Sequence, residues 1–173
     1  MSLRLGSLGF SRPRLPIRLN FLCLNVEKPM SVLTIEKQIR ISAPAGKVFA
    51  ALTDPEQIIQ YYPIQSVTSS QEVSGHILFK GEVDGTPFTD YGIIEILDRP
   101  QRFKYRYWSD NHGTVDTPEN RMVIDYQLTG DADDTVLTLT HSNLLSADRQ
   151  AMMAQVWDFL LGCLKNYVET DAR

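Results

Sequence analysis

Two hydrophobic periods divide this chain, and their order constrains its fold more than any other feature. From Val32 to Ile41 the residues alternate, with Leu33, Ile35, Ile39 and Ile41 on one parity and mostly polar side chains on the other. That is the period of a half-buried strand. Ser42-Ala43-Pro44 ends it, with Ser42 placed to cap a helix and Pro44 early in that helix. Val48, Phe49, Ala51 and Leu52 then recur at helical spacing. Thr53-Asp54-Pro55 breaks this helix and starts a second, with Asp54 as N-cap and Pro55 as first helical residue. Pro63 stops the second helix.

From Ile64 to His141 the period returns to two. The expected strands are 64–70, 76–83, 88–97, 103–108, 122–128 and 136–141. Turn signals separate them: Ser74-Gly75, Asp84-Gly85-Thr86-Pro87, Asp98-Arg99-Pro100, the loop 109–119, and Gly130 to Asp134. Short connections between successive strands imply an antiparallel meander. From 147 to 169 the period is helical again. Met152, Val156, Leu160, Cys163 and Tyr167 form one stripe, and Met153, Trp157, Leu161, Leu164 and Val168 the next. Ser146 is its expected N-cap. The apolar arc is wide, which predicts a helix covered on most sides.

The expected fold is therefore α+β. A curved antiparallel sheet of about seven strands wraps a long C-terminal helix, and two short helices follow the first strand. Helices cannot enter an antiparallel meander and must lie against one face of it. A sheet wrapped round one helix leaves a gap unless large side chains fill it, and that gap is the natural ligand site.

Charge narrows the partners. Residues 1–29 carry a net +4, while the whole chain of 173 residues carries −4. The body is thus acidic, which argues against nucleic acid and against an anionic membrane surface. No run of 18 apolar residues exists to span a membrane. Residues 1–29 lack periodic pattern and contain Pro13, Pro16 and Pro29. They read as an extension outside a domain of residues 30–173, contributing nothing to its stability. A start codon assigned too early, a transit peptide, or a signal peptide with a poor apolar stretch would each produce it. The expected location is cytoplasmic, or organellar for a genuine transit peptide. Two cysteines, Cys23 and Cys163, are too few for a disulfide framework. Cys163 reads as a small buried hydrophobe.

Several strings in this order resemble the START-like, or SRPBCC, superfamily with its helix-grip fold. The branch they are most similar to is the homologues of the activator of heat-shock ninety ATPase. The strings are Ile41-Ser42-Ala43-Pro44, Val48 to Glu56, Gly92 to Phe103, Leu137 to Ser142, and Trp157 to Leu160 with Leu164 to Glu169. They span about residues 32–169. The resemblance implies a hydrophobic cavity between sheet and C-terminal helix, but not one function, since the superfamily serves many. This chain has Tyr61-Tyr62 where many relatives carry an aromatic closer to Trp, and Val156 where they carry Gly. Both changes alter the shape of the expected pocket.

Candidate residues follow from parity. Phe103, Tyr105 and Tyr107 share one face of a strand, and Lys104 and Arg106 the other. Tyr126 faces inward from its own strand. His141 shares the parity of Leu137 and Leu139, so it points inward too. A buried Tyr hydroxyl needs a partner. Inward tyrosines with an inward histidine therefore suggest a cavity holding polar ligand groups or water, though plain core packing explains the same pattern. The pocket candidates are Tyr62, Tyr105, Tyr107, Tyr126, His141, Val156 and Leu160. Asp125 falls on the outward parity and should be solvated. Asp90 and Glu95 cannot be placed, because both parities of their strand are apolar.

No catalytic residues emerge. The histidines His76, His112 and His141 lack metal-ligand spacing. No nucleophile elbow, phosphate loop or dinucleotide fingerprint is present, so no metal and no cofactor is expected. The expected function is binding of a small hydrophobic or amphipathic ligand. A chaperone-associated protein-interaction domain and a weak cyclase or hydrolase are the alternatives.

Overall fold

The computed structural model describes residues 32–170. The expectations for residues 1–29, and for Cys23, lie outside the described residues. Strand β1 (Thr34–Ile41) leads into two short helices, α1 (Ala45–Thr53) and α2 (Pro55–Tyr61). Six strands follow: β2 (Ser66–Ser69), β3 (His76–Val83), β4 (Thr86–Asp98), β5 (Arg102–Ser109), β6 (Met122–Gly130) and β7 (Thr135–Ser142). Helix α3 (Ala147–Thr170) closes the fold; its 24 residues span about 36 Å. The sheet is seven-stranded and antiparallel, in the order β1-β7-β6-β5-β4-β3-β2. Successive strands β2 to β7 pair as a meander, and β1 returns to pair with β7. This is the helix-grip architecture.

Local chemistry explains the elements. Asp54 caps α2, its side chain accepting from the Glu56 N–H, and Pro55 opens the helix. The Ser146 hydroxyl accepts from the Arg149 N–H at the start of α3. Asp84 and Gly85, at φ 51° and 77°, turn β3 into β4 with Val83 opposite Thr86. Positive φ at both central residues matches the twist of the flanking strands.

Two capping and packing expectations fail. Ser42 does not cap α1: Pro44 occupies the N-cap position without a side-chain bond. The Ser42 N–H instead donates to Glu169 Oε1 at 2.8 Å, and Lys47 Nζ donates to the Val168 carbonyl. These bonds tie the end of α3 to the corner after β1. Nor is α3 covered on most sides. Trp157, Leu160, Leu161, Leu164 and Val168 are buried, but Met152 and Phe159 are 53% and 59% exposed. The sheet curves round one side of the helix only, so the second stripe faces the core and the outer edge of the first faces water. Cys163 is likewise half-buried rather than core.

Candidate functional site

The site is built on β5. Its period of two puts Phe103, Tyr105, Tyr107 and Ser109 inward, all buried, and Arg102, Lys104 and Arg106 outward. The outward set is neutralised. Lys104 and Arg106 both pair with Glu95, and Arg102 grips Asp125 through two bonds of 3.0 and 2.7 Å. Burial works against the Glu95 charge, but the bonds from Lys104 and Arg106 outweigh it and hold its carboxyl below the usual range. Asp125 is therefore not solvated as expected. Its parity is outward, but the Arg102 guanidinium covers it and leaves it 9% exposed.

Inside, rings run in a chain from Tyr62 through Phe79 to Tyr105, Phe103, Tyr126 and Trp157, with centroids 5.3–6.2 Å apart. These rings fill most of the gap that the fold leaves between sheet and α3. Three small hollows remain. One of about 50 Å³ is lined by Tyr62, Phe79, Asp90, Tyr105, Tyr107, Ile124, Met153 and Trp157. Two of about 10 Å³ each share Tyr62 with it, one touching Leu160 and Tyr126. Larger hollows of about 590 and 540 Å³ are open surface grooves, beside Tyr61 and Tyr167 and beside Pro100 and Arg102. They enclose nothing, so size alone does not mark the site.

Of the predicted pocket residues, Tyr62, Tyr105 and Tyr107 meet at the 50 Å³ hollow. Tyr126 and Leu160 line a smaller one, and Val156 lines none of the three, packing half-buried against the core. His141 stands one layer back, fully buried. Trp157 Nε1 donates to His141 Nδ1 at 2.9 Å, and Tyr107 Oη lies 3.4 Å from His141 Nε2. An indole N–H can only donate, so Nδ1 carries no proton and the neutral ring holds its proton on Nε2, toward Tyr107. The Tyr107 oxygen thus accepts, and its own proton is free to point into the hollow. Burial first, then the positive fields of His112 and Arg149, push the His141 pKa down to about 4.

Asp90 was not legible as a site residue. It shares the inward parity of Gly92 and Ile94 and lies opposite Ser109 in the register. Gly92 permits this close packing: a Cβ there would lie 2.5 Å from Ile77 Cγ2. Burial raises the Asp90 carboxyl to about 6; Ser109 opposes the rise and Asp110 adds to it. The Ser109 hydroxyl is buried and makes no hydrogen bond of normal geometry. It lies beside the carboxylate as a dipole rather than as a formed bond. Burial, and the Asp90 charge next, hold the Tyr62 and Tyr107 hydroxyls protonated far above their usual range. The corner is thus a set of neutral hydroxyls around one carboxylate that has no cation partner among the described residues.

The sequence and the fold both place this chain among known proteins. Residues 42–169 match the family model described as activator of Hsp90 ATPase homolog 1-like protein. The chain belongs to that family. Among solved structures, ChR145 from Cytophaga hutchinsonii is 29% identical, with a TM-score of 0.71 over 83% of this chain and 99% of that one. The Aha1 dimer from Colwellia psychrerythraea is 21% identical (TM-score 0.63, 79% and 96% covered). A START superfamily protein from Mycobacterium smegmatis is 12% identical (TM-score 0.65, 79% and 97% covered). The last two show likeness of fold. No curated protein matches the sequence. Among the described residues no cluster of His, Cys, Asp or Glu could hold a metal ion, and no helix is long and apolar enough to cross a membrane.

An unpaired carboxylate in this family member should cost stability. A carboxyl held at about 6 rather than 3.8 penalises the folded state by up to ~3 kcal/mol once ionised. Asp90 is only partly covered, so ~1–2 kcal/mol is the expected share. Asp90→Asn should therefore raise stability by that amount at pH 8. The gain should fall to a small fraction at pH 4, where the folded carboxyl is protonated and the unfolded one is partly so. Urea denaturation at the two pH values measures it, and an Asn variant less stable at pH 8 would show that the carboxylate has a partner.

Proposed function

We propose that this protein binds a small amphipathic molecule between the sheet and α3. Its polar end would sit at the Asp90–Tyr107–Ser109 corner and its apolar part against Tyr62, Phe79, Tyr105 and Tyr126. The carrying observation is the cost just described: a fold stabilised by packing does not need a carboxylate without a cation partner beside an internal hollow. Such groups cluster where a ligand completes them. The START-like fold and the family membership support the same reading.

The closed volume sets a condition. About 50 Å³ is room for one or two waters, far below the ~300 Å³ of an ordinary ligand site. The hollow seats a head group, and a tail enters by displacing neighbours. Met153 and Tyr62 are both partly buried at the edge of the core. An unbranched thioether side chain yields easily.

Tight packing also favours a second reading, a protein-interaction domain, supported by Phe159 and Met152 exposed on the outer side of α3. Two measurements separate the readings. Native mass spectrometry of protein purified from its own host should show a retained small molecule, and the dye ANS should bind the folded protein saturably. Tyr107→Phe, which keeps the ring and removes the hydroxyl, should weaken binding by about 2- to 10-fold, the worth of one hydrogen bond. No retained molecule, together with no saturable dye binding, would move the assignment to the protein partner.

A further inference from the structure

Asp90 is the one charged side chain lining the 50 Å³ hollow. Among the described residues no Lys, Arg or His forms an ion pair with it. The charge that acts on it deepens the negative field: Asp110 raises the Asp90 carboxyl further while accepting the Thr89 N–H at 2.9 Å. Opposite it in the register, Ser109 is 1% exposed, and its side chain partly holds the Asp90 carboxyl down. The Tyr107 oxygen completes the corner, with His141 fixing its polarity from behind. Asp90 and Tyr107 therefore face one small space, and the carboxylate has no cation partner among the described residues.

The chemistry of that space is specific. A group that satisfies a carboxylate with no cation partner must offer hydrogen-bond donors and a positive charge. An ammonium does so with three N–H donors and no acceptor, and it is a compact point charge. A carboxylate or phosphate would set like charge against Asp90. The cation that could offset it, Arg149, does not line the hollow; its field reaches Tyr107, His112 and His141. A neutral hydroxyl would serve the oxygens but leave the charge uncompensated in a partly dry site.

Resting on the binding reading above, we infer that the hollow selects the protonated primary amine of an amphipathic ligand. Asp90 is its counter-ion and its acceptor. The test compares three probes that share a tail: hexylammonium, hexanol and hexanoate. Each is titrated into the full-length protein at pH 7.5, near neutrality, and followed by the NMR signal of the Trp157 indole N–H, which borders the hollow.

Hexylammonium should bind saturably and about 10- to 100-fold more tightly than hexanol, the worth of a hydrogen bond to a charged group. Hexanoate should bind most weakly. Asp90→Asn should bring hexylammonium down to the level of hexanol and leave hexanol unchanged. Hexanol or hexanoate binding as well as the amine would overturn the inference and leave the binding reading standing. So would an amine affinity unaltered in a folded Asp90→Asn protein. If none of the three moves the Trp157 signal, the inference and the binding reading both fall. The wild-type comparison decides the point even if the variant is poorly behaved.

Discussion

Replacing Trp157 with Ala should cost about 3–5 kcal/mol of folding stability, the range for large buried aromatics. The side chain is 3% exposed at the middle of α3. It meets Tyr126 and His141 edge-on, at 6.2 and 5.9 Å between ring centres. Truncation opens a cavity between helix and sheet. It also removes the N–H that satisfies His141 Nδ1, leaving a buried acceptor bare, which costs ~1–3 kcal/mol by itself. The expected loss therefore lies at the upper end of the range. Trp157→Phe separates the two contributions, since it keeps most of the ring and removes only the donor. Chemical denaturation of both variants against wild type is the measurement. A loss below ~1 kcal/mol for Trp157→Ala, typical of surface changes, would contradict the orientation of α3.

Acid should destabilise the protein through His141. Its folded pKa is about 4 against an ordinary 6.5. As pH falls from 6.5, the unfolded chain takes up a proton that the folded protein refuses until about pH 4. A depressed base thus contributes stability that is present above pH 6.5 and lost on the way down to 4. The full value is ~3 kcal/mol. His112, also held at about 4, first by burial and next by Arg149, acts in the same direction. It is partly solvated and weighs less. Asp90 opposes both, because its raised carboxyl regains stability as pH falls through 6. In the wild type these effects overlap. The clean experiment is the Asp90→Asn protein, which should lose ~3 kcal/mol between pH 7 and 4 by urea denaturation. Adding His141→Gln should flatten most of that slope. A slope undiminished by the second substitution would mean that His141 is not the buried neutral base.

The physics of short range was legible in the sequence. Alternation located every strand of the sheet to within about two residues at each end, because a half-buried strand must show one apolar parity. Asp54-Pro55, Asp84-Gly85 and Ser146 set the starts and turns where they were expected, since caps and tight turns are decided by the few residues in them. The inward direction of Tyr105, Tyr107, Tyr126 and His141 followed from the same parity. Residue strings matching a known family carried the helix-grip topology, which no local pattern specifies.

Tertiary structure decided what parity left open. Strand β4 has a bulge between Ile94 and Ile96. Asp90, Gly92 and Ile94 face inward before it, and Leu97, opposite inward Phe103, faces inward after it. The strand thus changes parity midway, which is why both of its parities read as apolar and why Asp90 was hidden. Asp125 pointed outward as its parity demands, yet it is covered, because Arg102 reaches it from the neighbouring strand. The size of the hollow was equally beyond the sequence. It depends on how Tyr62, Phe79, Tyr105 and Trp157, brought from four separate elements, fill the space under α3. Parity states only which way a side chain points. Whether it meets another ring, a cation or a space depends on neighbours distant in the chain, and those are fixed only when the sheet has closed around the helix.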